Sequence, residues 1–167
     1  LISLTLVATN VALGPKLADL RAKSDMDGFQ HLLRTAATVI VLIAVPIALG
    51  FIIWGNTLIP FVFGDEYLMA GSLMWPLCLA QLVNSFCGPV MLALNMLGKE
   101  KLNIFAIVIS LSTTAIISLM LIPYYGAYGA AIGQLAGMTA WNIYLVWSLY
   151  KHTKILCMPY FWKKSYV

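Results

Sequence analysis

The residues that commonly carry chemistry are few in this chain and stand apart. The cysteines are Cys78, Cys87 and Cys157, and the histidines are His31 and His152. On one helix the spacing of Cys78 and Cys87 sends them to opposite faces about 13 Å apart along the axis, beyond the reach of a disulfide. There is no CxxC pair, and neither histidine has a thiol or carboxylate cluster beside it. The sequence therefore points to no catalytic residue, no metal and no cofactor. What it does contain is neutral and polar. Gln81, Asn84, Ser85, Gly88 and Asn95 fall within about 100° of arc on one helix, and Asn103, Ser110, Thr114 and Ser118 within about 80° on another. Amides and hydroxyls both donate and accept without a fixed charge. That chemistry suits hydrogen bonding between helices, and it equally suits a polar translocation path that meets sugars; both readings stay open for Gln81, Asn84, Ser85 and Asn95.

The elements that hold these groups are set by hydropathy and charge. Hydrophobic residues make up 62% of the chain and charged residues 10%, against about 25% charged in ordinary soluble domains; mean hydropathy is +0.91. A soluble protein of this size has too much surface per volume to hide so many apolar groups. A disordered chain is excluded for the same reason. The net charge of +4 comes from ten basic and six acidic residues; it does not indicate nucleic acid, because placement matters more than the sum. Stretches 35–64, 67–98 and 102–150 hold no charge at all. A helix crosses the hydrocarbon core with about 20 residues. The first two stretches each fit one span, and the third fits two, with Ile122 to Gly129 turning between them. The expected architecture is an all-α polytopic membrane bundle with four full spans, about 35–56, 70–97, 103–122 and 128–150. Leu1 to Leu13 reads as the truncated end of a further span, which suggests a C-terminal piece of a larger protein.

Loops alternate sides along such a chain. Loop 15–34, loop 98–102 and the tail from 151 hold all ten basic residues, while 57–69 and 122–128 hold none. The positive-inside rule makes the basic side cytoplasmic. Trp54, Phe61, Phe63, Tyr67, Trp75, Tyr124 and Tyr125 then anchor the outer interface, and Trp147, Tyr150, Tyr160 and Trp162 the inner one. In the first loop, Leu17, Leu20, Phe29, Leu32 and Leu33 can face the membrane while Lys16, Arg21, Lys23 and Arg34 reach head groups; plain topology-setting charge explains the loop equally well. Ser24 and Asp27 fit a capping box, so a helix is expected to start there.

No charged residue lies inside a span, which argues against a proton relay or voltage sensor in this segment. Gly129, Gly133 and Gly137 recur every four residues and clear one face for close helix packing, or less simply for a hinge. Pro46, Pro76 and Pro89 interrupt the first two spans, and Gly88-Pro89 should kink the second.

Several motifs occur in a telling order: Asn10 with Pro15-Lys16-Leu17, Phe63-Gly64-Asp65-Glu66-Tyr67 with Ala70, Gly88-Pro89, Gly98-Lys99-Glu100-Lys101, and Ile122-Pro123 followed by Tyr125-Gly126-Ala127-Tyr128-Gly129-Ala130-Ala131. Over about residues 1–150 this resembles the C-terminal half of polysaccharide-biosynthesis (O-antigen, Wzx-type) flippases of the multidrug/oligosaccharidyl-lipid/polysaccharide exporter superfamily. The resemblance implies a partial C-terminal bundle over 1–150 and a cytoplasmic interfacial tail over 151–167, in a bacterial inner membrane with the C-terminus cytoplasmic. It implies alternating access between two bundles, the first of them missing here, and a lipid-linked oligosaccharide of the undecaprenyl-diphosphate type as cargo, for lipopolysaccharide or related surface glycans. Membrane lipids are the other partners implied; nucleic acid is not. The alternatives are a drug/cation antiporter of the same superfamily, which would normally use an embedded carboxylate, and a membrane enzyme acting on lipid-linked glycan. For the enzyme the outer loops offer only Asp65 and Glu66. A purely structural membrane subunit also fits the sequence.

Overall fold

The computed structural model describes residues 2–160. In chain order it runs α1 (Ile2–Ala22), α2 (Met26–Phe63), a 3-10 turn (Asp65–Tyr67), α3 (Leu68–Ser72), α4 (Met74–Cys87), α5 (Val90–Met96), α6 (Glu100–Tyr125) and α7 (Ala127–Thr153), with no strand among the described residues. Among the described residues, three units are long and apolar enough to cross a membrane: α2, the pair α4–α5 (Met74–Met96), and α6. This differs from the expected four full spans. Helix α7, 27 residues long, has the length for a span, but Gln134, Thr139, Asn142, Ser148 and three glycines dilute its apolar character.

The first turn also differs from expectation. Residues 15–34 are not a loop. Helix α1 continues through Pro15 to Ala22, and α2 starts at Met26. Leu13 and Leu17 recur at helical spacing and are buried against Phe29 and Leu33, with Leu20 and Leu32 packed on the same cluster. These side chains face the bundle rather than a membrane surface, because burying them together removes apolar area from every other environment at once. Lys23 pairs with Asp19 at 2.7 Å on the exposed side of α1. Nor is Ser24 the cap: it takes a left-handed turn conformation with φ 56°. The cap is Asp25, whose Oδ1 accepts from the Gly28 N–H at 2.8 Å. Asp25→Ala should therefore lower stability by about 1 kcal/mol, while Ser24→Ala should change it by less than about 0.5 kcal/mol. Denaturant titration in detergent compares the two, and equal losses would return the cap to Ser24.

The major helices alternate in direction. At one end, Gly98 lies beside the Arg21 guanidinium and Tyr160 packs on His31 and Arg34. The basic turns thus gather together, with Lys151 over the Trp147 ring and Lys154 over Tyr150. At the other end the Trp75 indole N–H donates to the Tyr128 hydroxyl, which donates to Ser72 O, and Gly71 packs on Asn56. Trp54, Phe61, Phe63, Tyr67, Tyr124 and Tyr125 are exposed. Trp162, Lys163 and Lys164 lie outside the described residues.

The described residues after α7 pack onto the bundle. Residues 154–160 form a strap in which Ile155, Cys157 and Pro159 are buried and the residues between them are not. Arg34 Nε donates to Met158 O at 3.3 Å, and the Tyr160 N–H donates to Thr38 Oγ1 at 3.3 Å. Ile155 and Cys157 thereby join the main core with Leu17, Phe29, Leu94 and Leu149.

Candidate functional site

The second span is not one kinked helix but two. Pro89 contributes no N–H, so the ladder cannot run through it. The Gly88 N–H turns back to Ser85 O at 3.1 Å and the Val90 N–H to Gly88 O at 2.9 Å. Gly88 sits at φ 69°, ψ −160°, a region that side chains avoid. On one side it presses on Ala37 and Cys157.

The same break borders a cavity of about 120 Å³ that is lined by Asn10, Asn84, Pro89, Trp141, Asn142 and neighbouring apolar residues. Helices α1, α4 and α7 each bring an asparagine to it. Asn10 lies inside α1 rather than at a helix end. Asn142 Nδ2 is committed to Met138 O at 2.9 Å. Asn10 Oδ1 and the Trp141 indole nitrogen are buried there without a hydrogen-bond partner.

Of the stripe read from the sequence, Asn84 and Gly88 line this cavity and Gln81, Ser85 and Asn95 do not. Ser85 Oγ donates to Gln81 O at 2.8 Å within α4, and Gln81 Oε1 is buried without a partner. Asn95 is drawn across to α6, where Asn103 Nδ2 donates to its Oδ1 at 2.7 Å and to Met91 O at 3.1 Å. The second stripe turns toward α7 beyond Asn103. Gly133 faces Ser118, Gly137 faces Thr114 and the Ser110 carbonyl, and Gly129 faces the Leu121–Ile122 backbone. Sequence reasoning missed Trp141 and Asn142 as partners of Asn84. The available signal was an asparagine in the middle of α7, beside Trp141.

Two apolar clefts lie nearby, and one of them meets the cavity. One, of about 270 Å³, is lined by Val83, Phe86, Cys87, Met158 and Pro159. The other, of about 350 Å³, shares Val83, Cys87 and Met158 with it, includes Val146 and Trp147, and has Asn142 on its wall, as the polar cavity does. Burial pushes the Cys157 thiol well above its ordinary range, with Cys87 adding to the effect, so Cys157 is no nucleophile at neutral pH. No group of His, Cys, Asp and Glu among the described residues could hold a metal ion.

No protein-family model matches the chain, and no solved structure matches it. Among curated proteins it is similar to the probable flippase AglR of Haloferax volcanii, with 28% identity over 145 residues, 85% of this chain. The chain spans 30% of the length of that relative. Its apolar helices are those of a multi-pass membrane chain, and its sequence is similar to that of a probable flippase.

Proposed function

We propose that this chain is part of a carrier that flips a lipid-linked oligosaccharide across a plasma membrane by alternating access, rather than an enzyme that alters one. The observation that carries the reading is the meeting of an amide-bearing cavity with an apolar cleft across Asn142. A glycan head group cannot enter hydrocarbon unaided, because each unpaired polar group costs several kcal/mol there. Its polyprenyl tail needs the opposite surroundings. A path with both environments side by side suits such an amphipathic cargo. The broken α4–α5 span adds the irregular backbone that is tolerated at membrane depth only where it is buried in protein or borders a cavity.

In this reading Asn84 lies on the path. Gln81 and Ser85 on α4 and Asn95 on α5, which is tied to α6, support it from beside the path, while Gly129, Gly133 and Gly137 hold α7 against α6. Residues 1–150 form part of a C-terminal bundle, and a first bundle closes the other half of the path. Helix α7 completes four full spans, and the basic end with the C-terminus is cytoplasmic. The cargo is of the undecaprenyl-diphosphate type and serves a surface polysaccharide such as O-antigen in a bacterial inner membrane. Asn84→Leu should cut surface glycan about tenfold, the equivalent of one lost hydrogen bond in the path, with unchanged membrane abundance of the protein. The measurement is glycan display in cells that depend on this carrier. Undiminished glycan at normal abundance would remove Asn84 from the path.

A further inference from the structure

The end of α7 sets two cations on the rim of a cleft. Trp147 and Tyr150 line the larger apolar cleft, of about 350 Å³, together with Val83, Cys87, Val146 and Met158. Both rings are exposed, so the cleft is open along α7. Lys151 Nζ lies 4.7 Å from the centroid of the Trp147 ring, and Lys154 Nζ 5.1 Å from that of Tyr150. Each lysine follows its ring by one helical turn, and its aliphatic stem runs back over it. The two charges therefore rest on the same rings that wall the cleft. Nothing in this part of the chain neutralises them. No acidic residue follows Glu100, and among the described residues neither ammonium pairs with a carboxylate. From Asn142 to Tyr150 the cleft runs about 12 Å along α7, most of the roughly 15 Å depth of one leaflet.

A soluble anion would meet the lysines and leave the cleft unused. A peptide would bring main-chain donors and acceptors that an apolar wall does not satisfy. A zwitterionic lipid would fill the cleft, but its own cation would oppose the lysines. An anionic phospholipid matches both parts, because basic groups at a membrane surface attract anionic head groups. We propose that the cleft between α4, α7 and the strap seats an anionic phospholipid, with one acyl chain against Val83, Val146 and Met158 and its phosphate on Lys151 and Lys154. The carrier reading gives the same cleft to the chain of the cargo, which then competes with this lipid; the seat itself does not rest on that reading. A lipid-linked glycan held by its phosphate on these lysines would carry its sugars past the end of α7, away from Asn84, so the pose belongs to a resident lipid and not to cargo in transit.

The test is native mass spectrometry of the whole chain released from nanodiscs that hold phosphatidylglycerol and phosphatidylcholine in equal amounts, with circular dichroism to confirm that each variant has folded. The unaltered chain should retain phosphatidylglycerol in preference. Lys151→Gln with Lys154→Gln should reduce that preference about tenfold. Lys99→Gln with Lys101→Gln removes the same charge from another basic turn and should leave the preference unchanged. Val146→Phe fills the cleft and should lower retention of both lipids; Val83→Leu is the milder variant should phenylalanine disturb folding. No preference in the unaltered chain would overturn the proposal, and so would equal losses in the two lysine pairs, which would assign the attraction to net charge. Full retention in both cleft variants would remove the acyl chain from the cleft and overturn the seat. A dimer that carries no lipid would give the cleft to a second copy. A polyprenyl phosphate, supplied in equal amount and retained in place of phosphatidylglycerol, would overturn the phospholipid assignment. Glycan display in Asn84→Leu is measured separately, so failure of the seat and failure of the carrier reading are distinguishable.

Discussion

Gly88→Val is expected to destabilise the chain by about 4 kcal/mol, which combines two independent effects. The first is backbone strain. At φ 69° and ψ −160° a residue with a Cβ is held in a sparsely populated region at a cost of about 1–3 kcal/mol. The second is overlap. A Cβ at Gly88 would lie 2.7 Å from the Ala37 Cβ and 3.2 Å from Cys157 O, and overpacking of this kind costs about 1–3 kcal/mol. Net stabilities of whole domains are only about 5–15 kcal/mol, so the variant should unfold at markedly lower denaturant. Two comparisons separate the terms. Gly64 has φ 101° with nothing within 4 Å of a Cβ, so Gly64→Ala should show strain alone. Gly88→Ala in an Ala37→Gly background should recover the overlap with Ala37 and keep the strain. Equal losses for Gly88→Ala and Gly64→Ala would mean that the strap and α2 do not clamp the break.

The break was legible in the sequence and its clamp was not. Gly88-Pro89 inside an apolar run announces an interruption because proline lacks the donor that the helix needs. Nothing local announces that Cys157, far along the chain, folds back onto it; that placement follows from the alternation of Ile155, Cys157 and Pro159 fitting a gap between helices. The first turn shows the same limit. Pro15 and a run of charges read as a loop, yet the Leu13–Leu17–Leu20 face found Phe29 and Leu33, and tertiary burial carried the helix through the proline. Charge clustering predicted which turns share an end because alternation of spans leaves little freedom. The polar cavity lay in between: Asn84 could be marked from its own helix, whereas Asn10, Trp141 and Asn142 join it only through contacts that no periodicity encodes.

The α6–α7 hairpin carries the second large effect, and its logic is the hardness of the opposing surface. Helix α6 buries only Asn103 and Ala106, so its hold on the rest of the molecule depends on close approach to α7. A Cβ on Gly129 would meet the Leu121 carbonyl carbon at 2.5 Å and the Ile122 nitrogen at 2.7 Å. Those are main-chain atoms and cannot rotate away, so the two helices must separate. Each extra fraction of an ångström along the seam then forfeits dispersion contacts at every level below it. Gly129→Leu should cost about 3 kcal/mol or more, and Gly129→Ala should still cost more than Gly133→Ala, whose first obstacle is the Ser118 hydroxyl, a movable group. Gly133→Ala combined with Ser118→Gly should therefore recover much of its loss, while no substitution of a facing side chain can rescue Gly129→Ala. Gly50, in α2 with nothing within 4 Å of a Cβ, is the control, and Gly50→Ala should be neutral or stabilising by up to about 1 kcal/mol. Unfolding by denaturant titration in detergent ranks the set. A Gly129→Ala variant as stable as Gly50→Ala would show that the main chains of α6 and α7 do not meet at this level.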